Sequence, residues 1–443
     1  MRRPGSIVAV LALIATPLAA QQTAPAPRPI APQPTTTPAA PASRSILAST
    51  QALFDRYVAE NKLPGLVGAF GVGDFPTVFV AAGRIADDPG AAAAGPDSLW
   101  RVYSMTKPIT GMAAMLLVED GKLKLDDPVA TYLPAFRTMR VLKSPDTSLD
   151  SVPAARPITI RMLLTHTSGL GYNINAKGPI LKEYERLGLL PGQFNVAMES
   201  GALSRPRSLQ AFAEAAAKAP LIYQPGTKWH YSIGLDVMGA VIEKVSGMPF
   251  DAFVQARLLD PLKMSSTYWQ VPMAEVARLS TNYAIVGGMR APFDPAVTSI
   301  YLRKPAFPYG GAGLVSSARD YDRFLHMLQN EGTLDGVAVM KPATVRLAMS
   351  NLLPAGVTFD GGNAFPGLAV GFGAGGFVTL ADAPMAGKGT YGWDGAANTF
   401  SFVDPTRRAR GVVMVNYVRF GVYPLRAETG QALMADAQRL HGK

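Results

Sequence analysis

The stretch that decides the reading is Tyr103-Ser104-Met105-Thr106-Lys107-Pro108, which runs directly into ITGMAAMLLVEDG (residues 109–121). The second part has helical character from Ile109 to Glu119 and a stop at Gly121. A serine at the start of a helix with a lysine three residues later puts both side chains on one face, where the amine can take the hydroxyl proton. The helix N-terminus adds partial positive charge where negative charge develops. By itself the S-x-x-K spacing is common, and a capping serine with a surface lysine looks the same. Its meaning depends on the rest of the chain.

That chain has 443 residues, of which 48% are hydrophobic and 17% charged, enough to build a large core. There is no cysteine, which removes disulfides, thiol nucleophiles and thiolate zinc sites. The four histidines, 166, 230, 326 and 441, contain no pair at the spacing of an H-E-x-x-H zinc helix, so neither a metal nor another cofactor is expected. No serine has glycine two before and two after, which sets aside the α/β-hydrolase elbow. Gly371 to Gly376 satisfies G-x-G-x-x-G but leads into the strand-like run from Phe377 to Leu380, and so is read as a loop or strand edge rather than a dinucleotide site. The formal charge is +10, yet four of these charges are Arg2, Arg3, Arg28 and Arg44, in a stretch without acids. The body that remains is mixed in charge, and no nucleic-acid partner is expected.

Arg2 and Arg3, the apolar run Ile7 to Ala15 and the small residues up to Ala20 follow the order of a secretory signal. Residues 1–20 are therefore expected to be removed on export, leaving a periplasmic or secreted protein with no integral membrane segment. Residues 21–44 contain seven prolines and almost no large apolar side chain, which describes an extended tether. Residues 45–443 form the folded part. A helical period from Ile46 to Val58 precedes strand-like runs at Leu66 to Val72 and Thr77 to Ala82, joined near Gly73-Asp74 as a hairpin. At the other end, Asn398 to Val403 and Gly411 to Val418 read as strands around Asp404-Pro405-Thr406, followed by a helix from about Leu425 to Leu440. Helix signals at Leu209 to Ala217, Gly234 to Val245 and Ala318 to Glu331 lie between. The fold class is α+β: one antiparallel sheet fed by both termini, flanked by helices, with an inserted, mostly helical lobe.

Four further blocks accompany the serine: LLTHTSGL (163–170), YQPGTKWHYSIG (223–234), GGAGLVSSARDY (310–321) and YGWDGAANT (391–399). In this order and spacing the five blocks resemble the serine β-lactamase and penicillin-binding-protein-like family, above all family VIII carboxylesterases and class C β-lactamases. The resemblance runs over nearly the whole of residues 45–443. It implies a β-lactamase/transpeptidase-like fold with the active site in the cleft between sheet and helical lobe. It further implies that Ser104 is the acyl-accepting nucleophile, Lys107 its base partner and Tyr231 the second general acid/base. The backbone N–H groups of Ser104 and Ala396 would form the oxyanion hole. Trp393, Asp394 and Gly395 would occupy the third motif on the edge strand, and with Tyr103 and Ile233 they are expected to line the substrate pocket.

Two positions depart from the family pattern. Ile233 stands where the second motif usually carries Asn, and Trp393 stands where the third usually carries a cationic residue. Lys388-Gly389-Thr390 is a possible substitute for the latter, but the AANT continuation aligns the Trp393 block. His166 is expected to organise its loop, His230 to adjoin Tyr231 in the cleft wall, and His326 to sit on a helix face. The function expected is an exported serine esterase acting on a small-molecule ester. The alternatives are a β-lactamase (whose substrate is a lactam), a D-amino-acid-specific peptidase, or a catalytically silent binding protein of the same fold.

Overall fold

The computed structural model describes residues 46–190, 192–200, 205–361, 367–418 and 421–441. The expected signal and tether, residues 1–20 and 21–44, lie outside them. Among the helices of the described residues, the six of ten residues or more are α1 (Ala48–Ala59), α2 (Thr106–Glu119), α3 (Leu209–Lys218), α4 (Gly234–Ser246), α5 (Ala318–Gln329) and α6 (Leu425–His441). Seven strands make the main sheet: β1 (Gly65–Val72), β2 (Val78–Gly83), β3 (Val370–Phe372), β4 (Phe377–Thr379), β5 (Tyr391–Asp394), β6 (Phe400–Asp404) and β7 (Ala409–Met414). Their spatial order is β3-β4-β5-β6-β7-β1-β2, and every pairing is antiparallel. The two ends of the chain meet at the β1–β7 pairing.

The sheet has helices on both faces, and its strands alternate accordingly. Leu66 and Phe70 of β1 and Val413 of β7 join Leu53, Phe54 and Tyr57 of α1 and Leu425 of α6 in one apolar cluster. Their neighbours Val67, Ala69, Val412 and Met414 face the other way, into the large core shared with α2, α4 and α5. The terminal helices are tied together by Asp436, whose carboxylate accepts the N–H groups of Ser49 and Thr50 at 2.8 and 3.0 Å. This caps the first turn of α1, where orphan donors otherwise remain. Ser317 caps α5 by accepting the Asp320 N–H at 3.1 Å. The expected strand from Gly411 to Val418 is interrupted. It leaves the main sheet at Met414, and Tyr417–Val418 pair in parallel with Asn282–Val286 instead.

Helix α2 is buried on all sides from Thr106 to Leu117, as befits a sequence with no polar stripe. The glycine-rich string at 371–376 forms the turn between β3 and β4 and packs on this helix. A Cβ at Gly111 would stand 2.1 Å from the Ala374 carbonyl oxygen, and one at Gly375 would stand 2.4 Å from that of Lys107. The glycines thus let the sheet approach the start of α2 more closely than any side chain allows.

Candidate active site

The turn Tyr103–Met105 delivers Ser104 to the N-terminus of α2. Tyr103 has φ +42°, a costly conformation for a bulky side chain. It is held there by packing: the ring stacks on Phe194 at 5.7 Å, and the hydroxyl accepts a hydrogen bond from Asn282 Nδ2 at 2.9 Å. At 1% exposure Tyr103 is a core anchor behind Ser104 and offers no surface to a pocket, which corrects the expectation for it. Tyr321 steadies the same turn by donating from its hydroxyl to the Met105 carbonyl at 2.8 Å.

Two groups converge on Ser104 Oγ. Lys107 Nζ lies 3.0 Å from Ser104 Oγ, and the Tyr231 hydroxyl lies 2.7 Å from the same oxygen. Lys107 is completely buried and donates a second hydrogen bond to the Gly311 carbonyl at 2.7 Å. Its Nζ also sits 4.7 Å from the Tyr231 ring centre and 5.6 Å from that of Tyr172. Three blocks separated by up to about two hundred residues therefore meet around Ser104 and Lys107.

Tyr231 stands among aromatic rings. His166, Tyr172 and Trp393 have centroids 4.7, 5.3 and 5.8 Å from its own, and the Trp393 indole N–H points at its hydroxyl from 3.4 Å. Trp229, stacked on Tyr231 at 6.1 Å, extends the cluster to Phe359 and Phe372. His166 has φ +56° and is fully buried. Its carbonyl accepts the His230 N–H at 2.8 Å, and its Nδ1 accepts the Ser232 N–H at 3.2 Å, so it ties the 163–170 loop to the Tyr231 block. Burial, then the Lys107 charge, hold its pKa well below the ordinary histidine value. His230 is half-buried and lies edge-on to Tyr223 at 5.2 Å. His326 sits within α5.

The third block occupies β5. This strand is interior to the sheet, not the edge strand expected, but β4 pairs with it only as far as Gly392. Trp393 and Asp394 therefore lie on a stretch open on that side. Trp393 turns toward Tyr231, while Asp394 pairs with Arg426 of α6. A Cβ on Gly395 would stand 2.5 Å from the Val102 carbonyl oxygen, so the strand end abuts the start of the turn that carries Ser104, with Ala396 next in the chain and exposed. Lys388 precedes the other end of β5, away from Trp393. Ile233 has 0% exposure and belongs to the main core at the start of α4. Ile233 and Asp394 are thus corrected as pocket residues: one is core, the other an ion-pair partner.

One residue was missed in the sequence. Asp236, in the first turn of α4, is 1% exposed, and its Oδ1 accepts the Gly311 N–H at 2.8 Å. An acid in a first helical turn reads as ordinary dipole complementation. The only signal against that reading was its company, Gly234 to Ile242, in which every other residue is apolar or glycine.

The fold and this constellation are those of a serine hydrolase, with Lys107 and Tyr231 within hydrogen-bond reach of Ser104 Oγ. The chain belongs to the β-lactamase family: the family described as "Beta-lactamase" matches residues 50–434. Among curated proteins it is 33% identical over 307 residues to esterase EstB of Burkholderia gladioli, covering 66% of this chain and 72% of that one. It is 31% identical over 345 residues to the lovastatin esterase of Penicillium rubens, covering 73% and 80%. Among solved structures it resembles EstCE1, described as a hydrolase with promiscuous acyltransferase activity, with a TM-score of 0.72 and 26% identity over 88% of this chain and 99% of that one.

Proposed function

We propose that the chain is an exported serine esterase that cleaves small or medium carboxylic esters through an acyl-enzyme on Ser104. The observation that carries this is the position of Ser104 Oγ, 3.0 Å from Lys107 Nζ and 2.7 Å from the Tyr231 hydroxyl. In acylation the Ser104 proton passes to the Lys107–Tyr231 pair as Oγ bonds to the ester carbonyl carbon. The pair then hands that proton to the alcohol oxygen as the old C–O bond breaks. In deacylation a water gives its proton to Tyr231, attacks the acyl carbon and releases the carboxylic acid, and the proton returns to Ser104. The N–H groups of Ser104 and Ala396 receive the oxyanion in each step, a contribution of about 10²-fold or more per donor.

Esters are favoured over β-lactams because Trp393, which faces Tyr231, replaces the usual cation. An ester often carries no carboxylate, whereas a penicillin carboxylate set against the Trp393 indole loses its partner, at roughly 1–3 kcal/mol. The names of EstB and the lovastatin esterase support an ester substrate. The test compares kcat/KM for a short p-nitrophenyl ester and for nitrocefin. Preference for the ester is expected, and equal efficiency on nitrocefin would overturn the assignment. Export rests on residues 1–20. It predicts a mature N-terminus near Gln21 outside the cytoplasm, and a cytoplasmic protein retaining Met1 in its native host contradicts it.

A further inference from the structure

Asp236 is a buried acid that the proposed chemistry does not use directly. Its Oδ2 atom is buried and has no hydrogen-bond partner among the described residues. A carboxylate so placed is costly to a fold, and an apolar residue of similar volume is often better for stability. Burial raises its pKa to about 6, against the opposing effects of Lys107 and of the Gly311 and Asp236 N–H groups. The charged groups and phenols facing it are Lys107 from α2 and Tyr172 from the loop that follows the 163–170 block, with Tyr231 beyond them. What links it to the reaction is Gly311: the N–H of that residue is held by Asp236, and its carbonyl accepts the second hydrogen bond of Lys107. There is no room for a side chain between them, since a Cβ on Gly311 would stand 2.6 Å from Asp236 Oδ2.

We propose that Asp236 is a positioning residue for Lys107: it fixes the Gly311 main chain that receives one Lys107 N–H, and its charge balances the ammonium formed when Ser104 gives up its proton. The inference rests on the esterase reading and goes beyond it. With one N–H committed to Gly311, the lysine keeps a second position aimed at Ser104 Oγ. As the proton moves from Ser104 to Lys107, the new positive charge arises in a buried site with a fixed negative charge beside it, so little has to reorganise.

The test uses Asp236→Asn, which has the same shape and retains an oxygen that accepts the Gly311 N–H, and Gly311→Ala, which displaces the contact by crowding. Four readouts are taken on the full mature chain: the rate of Ser104 labelling by a fluorophosphonate, kcat and KM on a short p-nitrophenyl ester, the pH profile of kcat/KM, and Tm. Both variants should lose about 10- to 100-fold in labelling rate and kcat with little change in KM. Asp236→Asn should keep or raise Tm at pH 7. Its acid limb of kcat/KM should move to lower pH, because the amide carries no group that takes up a proton near pH 6. Unchanged labelling and kcat in Asp236→Asn would overturn the proposal. So would a loss of rate accompanied by a fall in Tm with an unmoved acid limb, which is the signature of a structural role. A wild-type protein that neither labels nor hydrolyses overturns the esterase reading itself, and the inference with it.

Discussion

Removing Lys107 and Tyr231 separately and together tests whether they serve one proton path. Tyr231→Phe deletes a single oxygen, 2.7 Å from Ser104 Oγ, and leaves the ring contacts to His166, Tyr172 and Trp393 in place. Lys107→Met keeps most of the buried stem while losing the contacts at 3.0 Å to Ser104 and 2.7 Å to Gly311. A positioned general acid or base is worth about 10²- to 10⁴-fold, or roughly 3–5 kcal/mol at about 1.4 kcal/mol per tenfold. Because both groups act on the same oxygen, the second deletion has little left to remove. The double variant should therefore fall to about the level of the worse single variant, giving a coupling energy close to the smaller single effect, about 3 kcal/mol or more. The assay is kcat/KM on a short p-nitrophenyl ester for wild type, both single variants and the double, with Tm measured to show that each is folded. If the two losses multiply, the residues serve separate steps and the relay is wrong.

Three other outcomes follow from the geometry. With a pKa of about 6 against an ordinary 3.8, folded Asp236 holds a proton that the unfolded chain releases between about pH 4 and pH 6. Stability should therefore fall by about 3 kcal/mol as pH rises through that window, at about 1.4 kcal/mol per unit, and Asp236→Asn should lack this component. Urea unfolding of both proteins from pH 4 to 7 reads the difference, and parallel curves sink the prediction. Trp393→Lys should raise the ratio of nitrocefin to ester kcat/KM by about tenfold or more, by restoring a partner for a substrate carboxylate. An unmoved ratio means that specificity lies elsewhere. Gly375→Ala forces a side chain into φ +80° and to 2.4 Å from the Lys107 carbonyl oxygen, so it should cost about 2 kcal/mol or more and lower Tm. A wild-type Tm would show that the β3–β4 turn does not hold the start of α2.

Most of the framework was legible because both of its ends carry local signals. The strand-like run from Leu66 to Val72, the turn at Asp404-Pro405 and the helix opening at Ala318 each follow from rules of strand composition, turn chemistry and helical period, and all appear in the structure. The grouping of Ser104, Lys107 and Tyr231 was legible only through the order of the blocks, since Tyr231 is far from the serine in sequence and nothing local points to the contact. What escaped was side-chain direction. Tyr103 and Ile233 adjoin reactive residues in the chain but turn into the core, because a 3₁₀ turn and a helix start send neighbouring side chains to different faces. Asp394 follows Trp393 on a strand and therefore faces the opposite side of the sheet, where Arg426 meets it. Asp236 was hidden for a different reason: its partner is a main-chain N–H on a distant glycine loop, and no side-chain pattern encodes that contact.

The central claim is that Ser104 is the nucleophile, and the most direct measurement is intact mass followed by peptide mapping after treatment with a fluorophosphonate probe. The account predicts a single adduct, confined to the peptide that contains Ser104, formed by the wild type and absent from Ser104→Ala. An adduct on any other serine, or a Ser104→Ala protein that labels as fast as the wild type, would contradict it.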